Sequence, residues 1–419
     1  MGPYIDRKKD RFMNQILRGS KEAWVVGVLL LATLTHVLDF VIMMPLGPML
    51  MKEFNIGAAE FGYMVSVYTV AAAASSFLSA IWVDLINRKT ALLLLMVGFL
   101  AGNVLCALAP SPFHLILGRI IAGLFGGVMS AVIFSIIGQL VDASRRGRAT
   151  GLMGTAFPIV SILGVPIGLK IADIYGWRMA FFMVLGLCLI TIAALVVILP
   201  SIEPERRSTG SSLLSPFKEV LTYRPHLHGL LLIMLMVFGG FVIVPYIAPF
   251  LINNGYIRSD QLYLVYLIGG SCSIVSSRLI GVLADKYGKL RVLRVVLVLA
   301  IISLFAFTNM PHYHFALVAI ISSASMMFLP GRYVCVMAFI TVISKPETRG
   351  SYMSLTMAFQ QLMIGLSSVL GGYLVGEGEG GTLDTFWLAG AFCITVNALI
   401  FFYSFQLNKL EQDKGAQAR

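Results

Sequence analysis

Apolar stretches long enough to cross roughly 30 Å of hydrocarbon, at ~1.5 Å per helical residue, begin near Ala23 and recur to Gln406. Twelve are counted, at about 23–50, 61–83, 90–109, 113–139, 149–173, 179–200, 227–253, 262–284, 292–309, 314–342, 350–376 and 384–406. They predict an all-α integral membrane protein with twelve transmembrane helices, called spans one to twelve below. Composition points the same way: of 419 residues, 58% are hydrophobic and 12% charged, which removes the two or three soluble domains that length alone would suggest. The first stretch is too long for a signal-peptide core and is followed by no small-residue cleavage site, so it is expected to stay as a helix.

A net charge of +11 raises the question of nucleic acid, and the positions of the basic residues answer it. With the N-terminus in the cytoplasm, 24 of the 31 Lys and Arg fall in cytoplasmic segments, against Lys52, Lys170, Arg178 and Arg258 on the opposite side. That bias sets both termini in the cytoplasm of a cell membrane, the inner membrane if the source is bacterial, and makes the lipid bilayer, not nucleic acid, the partner of the charge. The five cysteines stand singly within spans, without C-x-x-C spacing, and read as small packing residues.

The chain also repeats. A shift of about 201 residues sets Phe40-Val41-Ile42 on Phe241-Val242-Ile243, Pro48 on Pro249 and Asp84 on Asp285, and two further residues bring Arg146-Gly147 onto Arg349-Gly350. Six spans return the chain to its starting side, so the halves are parallel repeats about an axis along the membrane normal. The expected organisation is a tail at 1–22, a six-helix bundle at 23–200, a linker rich in Ser, Pro and charge at 201–226, a second bundle at 227–406 and a tail at 407–419.

These residues resemble the major facilitator superfamily of secondary transporters over nearly the whole chain. The loop signature G-x-x-x-D-x-x-G-R/K is kept from Gly281 through Asp285 and Gly288 to Lys289, and degraded in the first half, where Asp84 and Arg88 remain and both glycines are lost. Gly118-Arg119 with Gly123 and Gly126-Gly127 resembles the arginine motif of span four. Gly164, Pro166 and Gly168, with no counterpart in the second half, resemble the span-five motif of drug/proton antiporters, and bacterial arabinose or sugar efflux permeases are the nearest kin. The resemblance implies that spans one, four, seven and ten line a central path. It also implies a cytoplasmic latch bridging the halves, for which Asp84, Arg88, Asp142, Asp285, Lys289 and Glu347 are the candidates, and a chain that works as a monomer.

Ionisable residues inside a bilayer are functional candidates, because a charge at a helix centre costs roughly 2.5–3.5 kcal/mol on insertion scales. Asp39 lies about 24 Å along span one, near mid-membrane, and the repeat replaces it with Gly240, so folding a six-helix unit does not require it. Arg119, about 9 Å into span four, lies nearer that level than Arg332, about 26 Å into span ten, and is the expected partner. His36 shares a helix face with Asp39 and is a candidate proton relay. Asp39, Arg119 and Arg332 are the candidates along the substrate path. Against these stand plainer readings, in which Asp39 anchors helices, Arg119 packs or snorkels and His36 forms one ordinary hydrogen bond. The pairs His226/His228 and His312/His314 are expected in loops, with no metal-ligand spacing. Prolines 45, 48, 158, 166, 245, 249 and 330 are expected to loosen spans one, five, seven and ten.

The sequence holds no phosphate loop, catalytic set or metal cluster, so it calls for neither an enzyme nor a cofactor. The function expected is proton-coupled efflux of a small drug-like compound or sugar by alternating access. A facilitator or importer of a sugar, siderophore or other nutrient, and a non-transporting receptor or lipid-interacting scaffold, are the alternatives. The charge asymmetry makes one prediction directly. A cysteine introduced near Arg206 stays unlabelled when intact cells meet an impermeant thiol reagent, and reacts once the membrane is opened; labelling from outside overturns the topology.

Overall fold

The computed structural model describes residues 3–82, 86–202, 215–310, 314–345, 348–408 and 410. Among these, eleven helices are long and apolar enough to cross a membrane, or up to twelve when Gly47–Phe54 and Ala58–Phe77, bent by 118°, are taken together as a span. The protein is all-helical and multi-pass, with two six-helix bundles in parallel repeat. The first comprises Pro3–Ile42 with Gly47–Phe54, Ala58–Trp82, Arg88–Ala107, Pro112–Leu140, Ala143–Tyr175 in several pieces, and Arg178–Ile198. The second comprises Arg224–Asn253 in pieces, Leu262–Tyr287, Lys289–Thr308, Phe315–Ile343, Arg349–Leu374 and Phe386–Gln406. The end of the bundles that carries Ala58 and Glu377 is called the far side below.

Three spans break where proline or crowding forbids a regular ladder. The single helix expected over 23–50 ends at Ile42 and restarts at Gly47, with Pro48 in the first turn, where a missing N–H costs nothing. Span seven breaks alike, through a 3₁₀ turn at Val244–Tyr246. Span five contains a π-turn at Val160–Gly164, just before Pro166. Span ten corrects an expectation: Phe315–Ile343 is one continuous helix through Pro330. Spans eight and nine both pack along it, and Gly331 gives the chain beside the ring no side chain of its own to clash. A second correction concerns His226 and His228, expected in a loop but lying in the first turns of span seven. His226 is buried, its ring stacked on Tyr352 at 4.1 Å with an interplanar angle of 16°.

The loop signature and its degraded copy start the next helix by different devices. Gly288 has φ +95°, a left-handed conformation that a side chain would strain. At the repeat-equivalent place Asn87 has φ −54°, and its side chain accepts hydrogen bonds from the N–H groups of Lys89 at 3.0 Å and Thr90 at 3.4 Å, capping span three. The loss of the glycine is thus a change of capping chemistry.

On the far side the halves are pressed together. A Cβ on Gly62 would lie 2.7 Å from the Ser368 carbonyl oxygen and one on Gly372 2.8 Å from that of Ala58, while within the second half one on Gly371 would lie 2.2 Å from that of Val242. Only hydrogen fits there. Tyr246 of span seven donates to the Ser368 carbonyl at 2.6 Å and meets Phe61 edge-on at 6.2 Å, while Tyr63 and Tyr373 join hydroxyls across the seam. Glu377, from the loop after span eleven, accepts the Ala58 N–H, so a carboxylate of one half caps the positive end of span two in the other. Losing a cap costs about 0.5–2 kcal/mol. Glu377→Ala is therefore expected to loosen the far-side seam, read as a several-fold lower yield when Tyr63→Cys and Tyr373→Cys are joined by a short bis-maleimide; an unchanged yield refutes that role.

Candidate functional site

Arg119 Nη1 donates to Asp39 Oδ1 at 2.8 Å, joining spans four and one inside the first bundle. Neither side chain reaches solvent: relative exposure is 1% for Arg119 and 0% for Asp39. The guanidinium also lies over the Tyr68 ring, 4.3 Å from its centroid, and Tyr68 stacks on Phe40 at 5.7 Å. The pair is not saturated, since among the described residues Asp39 Oδ2 and Arg119 Nε have no hydrogen-bond partner.

The neighbouring motifs explain how the backbone permits this. A Cβ on Gly123 would meet the Tyr68 carbonyl oxygen at 2.2 Å, and one on Gly127 the Ala72 carbonyl oxygen at 2.5 Å, so spans two and four touch backbone to backbone and hold Tyr68 against Arg119. Gly118, beside the arginine, would put a Cβ 2.7 Å from Cys106 Sγ of span three. The span-five motif seats span one: Cβ atoms on Gly164 and Gly168 would lie 2.8 Å from Leu38 Cδ1 and 2.8 Å from Ile42 Cδ1. These two side chains flank Asp39, and Pro166, buried, begins the helix that follows the π-turn. On the other flank the hydroxyls of Thr35 and Thr191 are 3.1 Å apart and tie span one to span six.

His36 is half-buried, and its Nε2 lies 3.4 Å from Ser130 Oγ of span four, making no described contact with Asp39. Arg332 is buried in the second bundle, and among the described residues it forms no ion pair. Its Nη1 donates to Asn397 Oδ1 of span twelve and its Nε to the Leu329 carbonyl at 3.1 Å. Of the latch candidates, Asp84 and Glu347 lie outside the described residues. Asp285, 80% exposed, pairs with Lys289 at 3.5 Å within its own half. The Arg88 N–H is held by the Ile202 carbonyl at 3.1 Å, and Asp142 is the N-terminal cap position of Ala143–Gly154 without a side-chain cap bond. No described contact of these residues crosses to the other half. Sequence reasoning did not find Tyr68 or Thr191, whose residue types carry no signal in an apolar span, nor Glu377, a loop acid without a motif.

Two six-helix bundles in parallel repeat, the first with an ion pair buried inside it, define a polytopic membrane protein. The Major Facilitator Superfamily model matches residues 29–368 and 260–418, and the chain belongs to that family of membrane transporters. It is similar to an uncharacterized MFS-type transporter, YceJ, of Bacillus subtilis (strain 168), at 26% identity over 255 residues; the match spans 61% of this chain and 65% of that relative's length. Its fold is similar to the crystal structure of a bacterial homologue of the human lysosomal transporter Spinster, inward-facing and unoccupied, with a TM-score of 0.76 and 16% identity over 93% of this chain and 98% of that one. A D-xylose-proton symporter is similar at a TM-score of 0.72 and 16% identity, over 91% and 97% of the two chains.

Removing one member of a buried pair strands the other, at about 3–5 kcal/mol. Arg119→Gln alone is therefore expected to destabilise the detergent-solubilised protein more than Asp39→Asn with Arg119→Gln together, read from unfolding midpoints. Additive midpoints would mean the two side chains do not act as a pair.

Proposed function

We propose that this transporter expels a small organic solute in exchange for protons, with Asp39 carrying the coupling proton and Arg119 acting as its counter-charge. The observation that carries the reading is the half-satisfied carboxylate: Arg119 holds Oδ1, while among the described residues Oδ2 accepts no hydrogen bond and offers a place for a proton. Protonation there cancels the attraction to Arg119 and frees the guanidinium, so proton binding and the arrangement of spans one and four become linked. His36, one turn from Asp39 and half-buried, is the relay candidate. The absence of an equivalent acid at Gly240 supports a role beyond folding the bundle.

The finer assignments belong to the same reading. The chain works as a monomer in the cell membrane, the inner membrane if bacterial, with both termini cytoplasmic and bundles at 23–200 and 227–406 joined through 201–226. Asp84, Arg88, Asp142, Asp285, Lys289 and Glu347 bridge the halves while the cytoplasmic side is closed. The solute is a drug-like compound or sugar, with Asp39, Arg119 and Arg332 along its path.

Proteoliposomes with an imposed pH gradient test this. Asp39→Asn fixes the neutral form, so gradient-driven transport is expected to fall by about tenfold or more while solute exchange without a gradient persists, because a neutral residue no longer distinguishes the two states by proton affinity. Equal gradient-driven transport by wild type and Asp39→Asn would make the pair a structural anchor, as its complete burial also permits, and the protein a facilitator.

A further inference from the structure

The second bundle holds the first bundle's ion pair with one half missing. Arg332 is 2% exposed, yet among the described residues no carboxylate pairs with it; its described partners are two neutral oxygens, those of Asn397 and Leu329. The direction of Nη2 is informative. A Cβ on Gly240 would lie 3.0 Å from Arg332 Nη2, so the guanidinium points at the residue that the repeat sets on Asp39. The arginine is not itself a repeat copy. Spans four and ten are both 29-residue helices, and aligning them end to end sets Ser322 at the place of Arg119 and Met129 at that of Arg332. Each half thus brings a guanidinium from its fourth helix to the same level of its first, and only one half supplies the acid.

A buried charge without a counter-charge is costly, and a site keeps one where a ligand completes it. The surroundings narrow the ligand. Phe40, which follows Asp39, stacks on Tyr68 of its own half and packs against the apolar core of the second, where Phe241, which follows Gly240, and Phe392 of span twelve also pack; all three are partly exposed. Aromatic faces contributed by both bundles, one of them next in sequence to the glycine that the guanidinium faces, suit a flat apolar group carrying one acid.

We propose that Arg332, facing Gly240 across spans ten and seven, is the receptor for the carboxylate of an aromatic or similarly apolar organic acid, which takes in the second bundle the place Asp39 takes in the first. The assignment names a substrate class and rests on the transport reading only for the ligand's fate; binding itself needs neither transport nor proton coupling.

The test uses the full chain purified in detergent, with benzoate as probe, benzamide as its uncharged counterpart and inorganic phosphate as the alternative anion, read by thermal unfolding. Wild type is expected to unfold at higher temperature as benzoate rises and to ignore benzamide and phosphate. Gly240→Asp supplies the missing acid from within: it is expected to raise the ligand-free unfolding temperature and abolish the benzoate response, whereas Gly240→Ala, which only crowds the flexible end of Arg332, keeps a response. Arg332→Gln tests the same point without filling the site and is expected to lose the response. A wild type that treats benzoate and benzamide alike, a response to phosphate in place of benzoate, or an Arg332→Gln protein that still responds overturns the proposal. None of these results bears on whether Asp39→Asn uncouples transport, so the two readings fail separately.

Discussion

A guanidinium and a carboxylate shut away from water are costly to bury unless they hold each other, and the first bundle is arranged around that requirement. Arg119 reaches Asp39 because span four has no side chains where it crosses span two: Gly123 and Gly127 bring the helices to backbone contact and place Tyr68 beneath the guanidinium. Span one is held in register from the other direction by Gly164 and Gly168, which receive Leu38 and Ile42 on either side of Asp39. The glycines of the span-four and span-five motifs are therefore seats for a charge pair. A side chain at any of these glycines would displace a helix backbone or the residues flanking the acid, and the 2.8 Å contact would lengthen at the expense of both charges.

The two halves differ most where the repeat would predict identity. Span one carries Asp39 and span seven carries Gly240; span three is capped by Asn87, and span nine follows Gly288 in a left-handed turn. The first difference is chemical, because it leaves Arg332 with neutral partners. The second is architectural and neutral, since both devices end one helix and start the next. Parallel repeats need share only helix count, direction and close packing. Polar chemistry is free to diverge once each bundle buries its own apolar core.

Much of this was legible in the chain. Hydrophobic length alone marks the spans, and counting rise per residue sets Arg119 within reach of Asp39, while the same count sets Arg332 too deep, since its guanidinium reaches Gly240, the repeat equivalent of Asp39. What depends on lateral contact was not legible. Tyr68 is one aromatic among many until span four lies against it. His226 sits in a charged, proline-containing segment that reads as a loop, yet stacking on Tyr352 and a hydrogen bond from the Lys345 N–H at 3.3 Å draw it into a helix. Pro330 reads as a break, and lateral packing against spans eight and nine keeps span ten whole. The isolation of Arg332 was half-legible, since the repeat exposes Gly240 but only coordinates show which side chain faces it.

The far-side seam and the buried pair together say how a change at Asp39 can be felt across the protein. Asp39 is followed by Phe40, which stacks on Tyr68 of its own half and packs against the apolar core of the second. Tyr68 lies on span two, whose far-side end is capped by Glu377 of the other half and whose length runs along span eleven as far as Phe77 against Phe359. Arg119 touches both the acid and the Tyr68 ring, so a guanidinium released from Asp39 must find its next contact on span two or leave it. Either outcome loads the helix that forms the seam. Packed interfaces respond to such a load by switching between arrangements, because close-packed side chains deform little before they repack. A single proton therefore acts at a point of contact shared by three elements: the bundle core, the aromatic bridge and the inter-half seam.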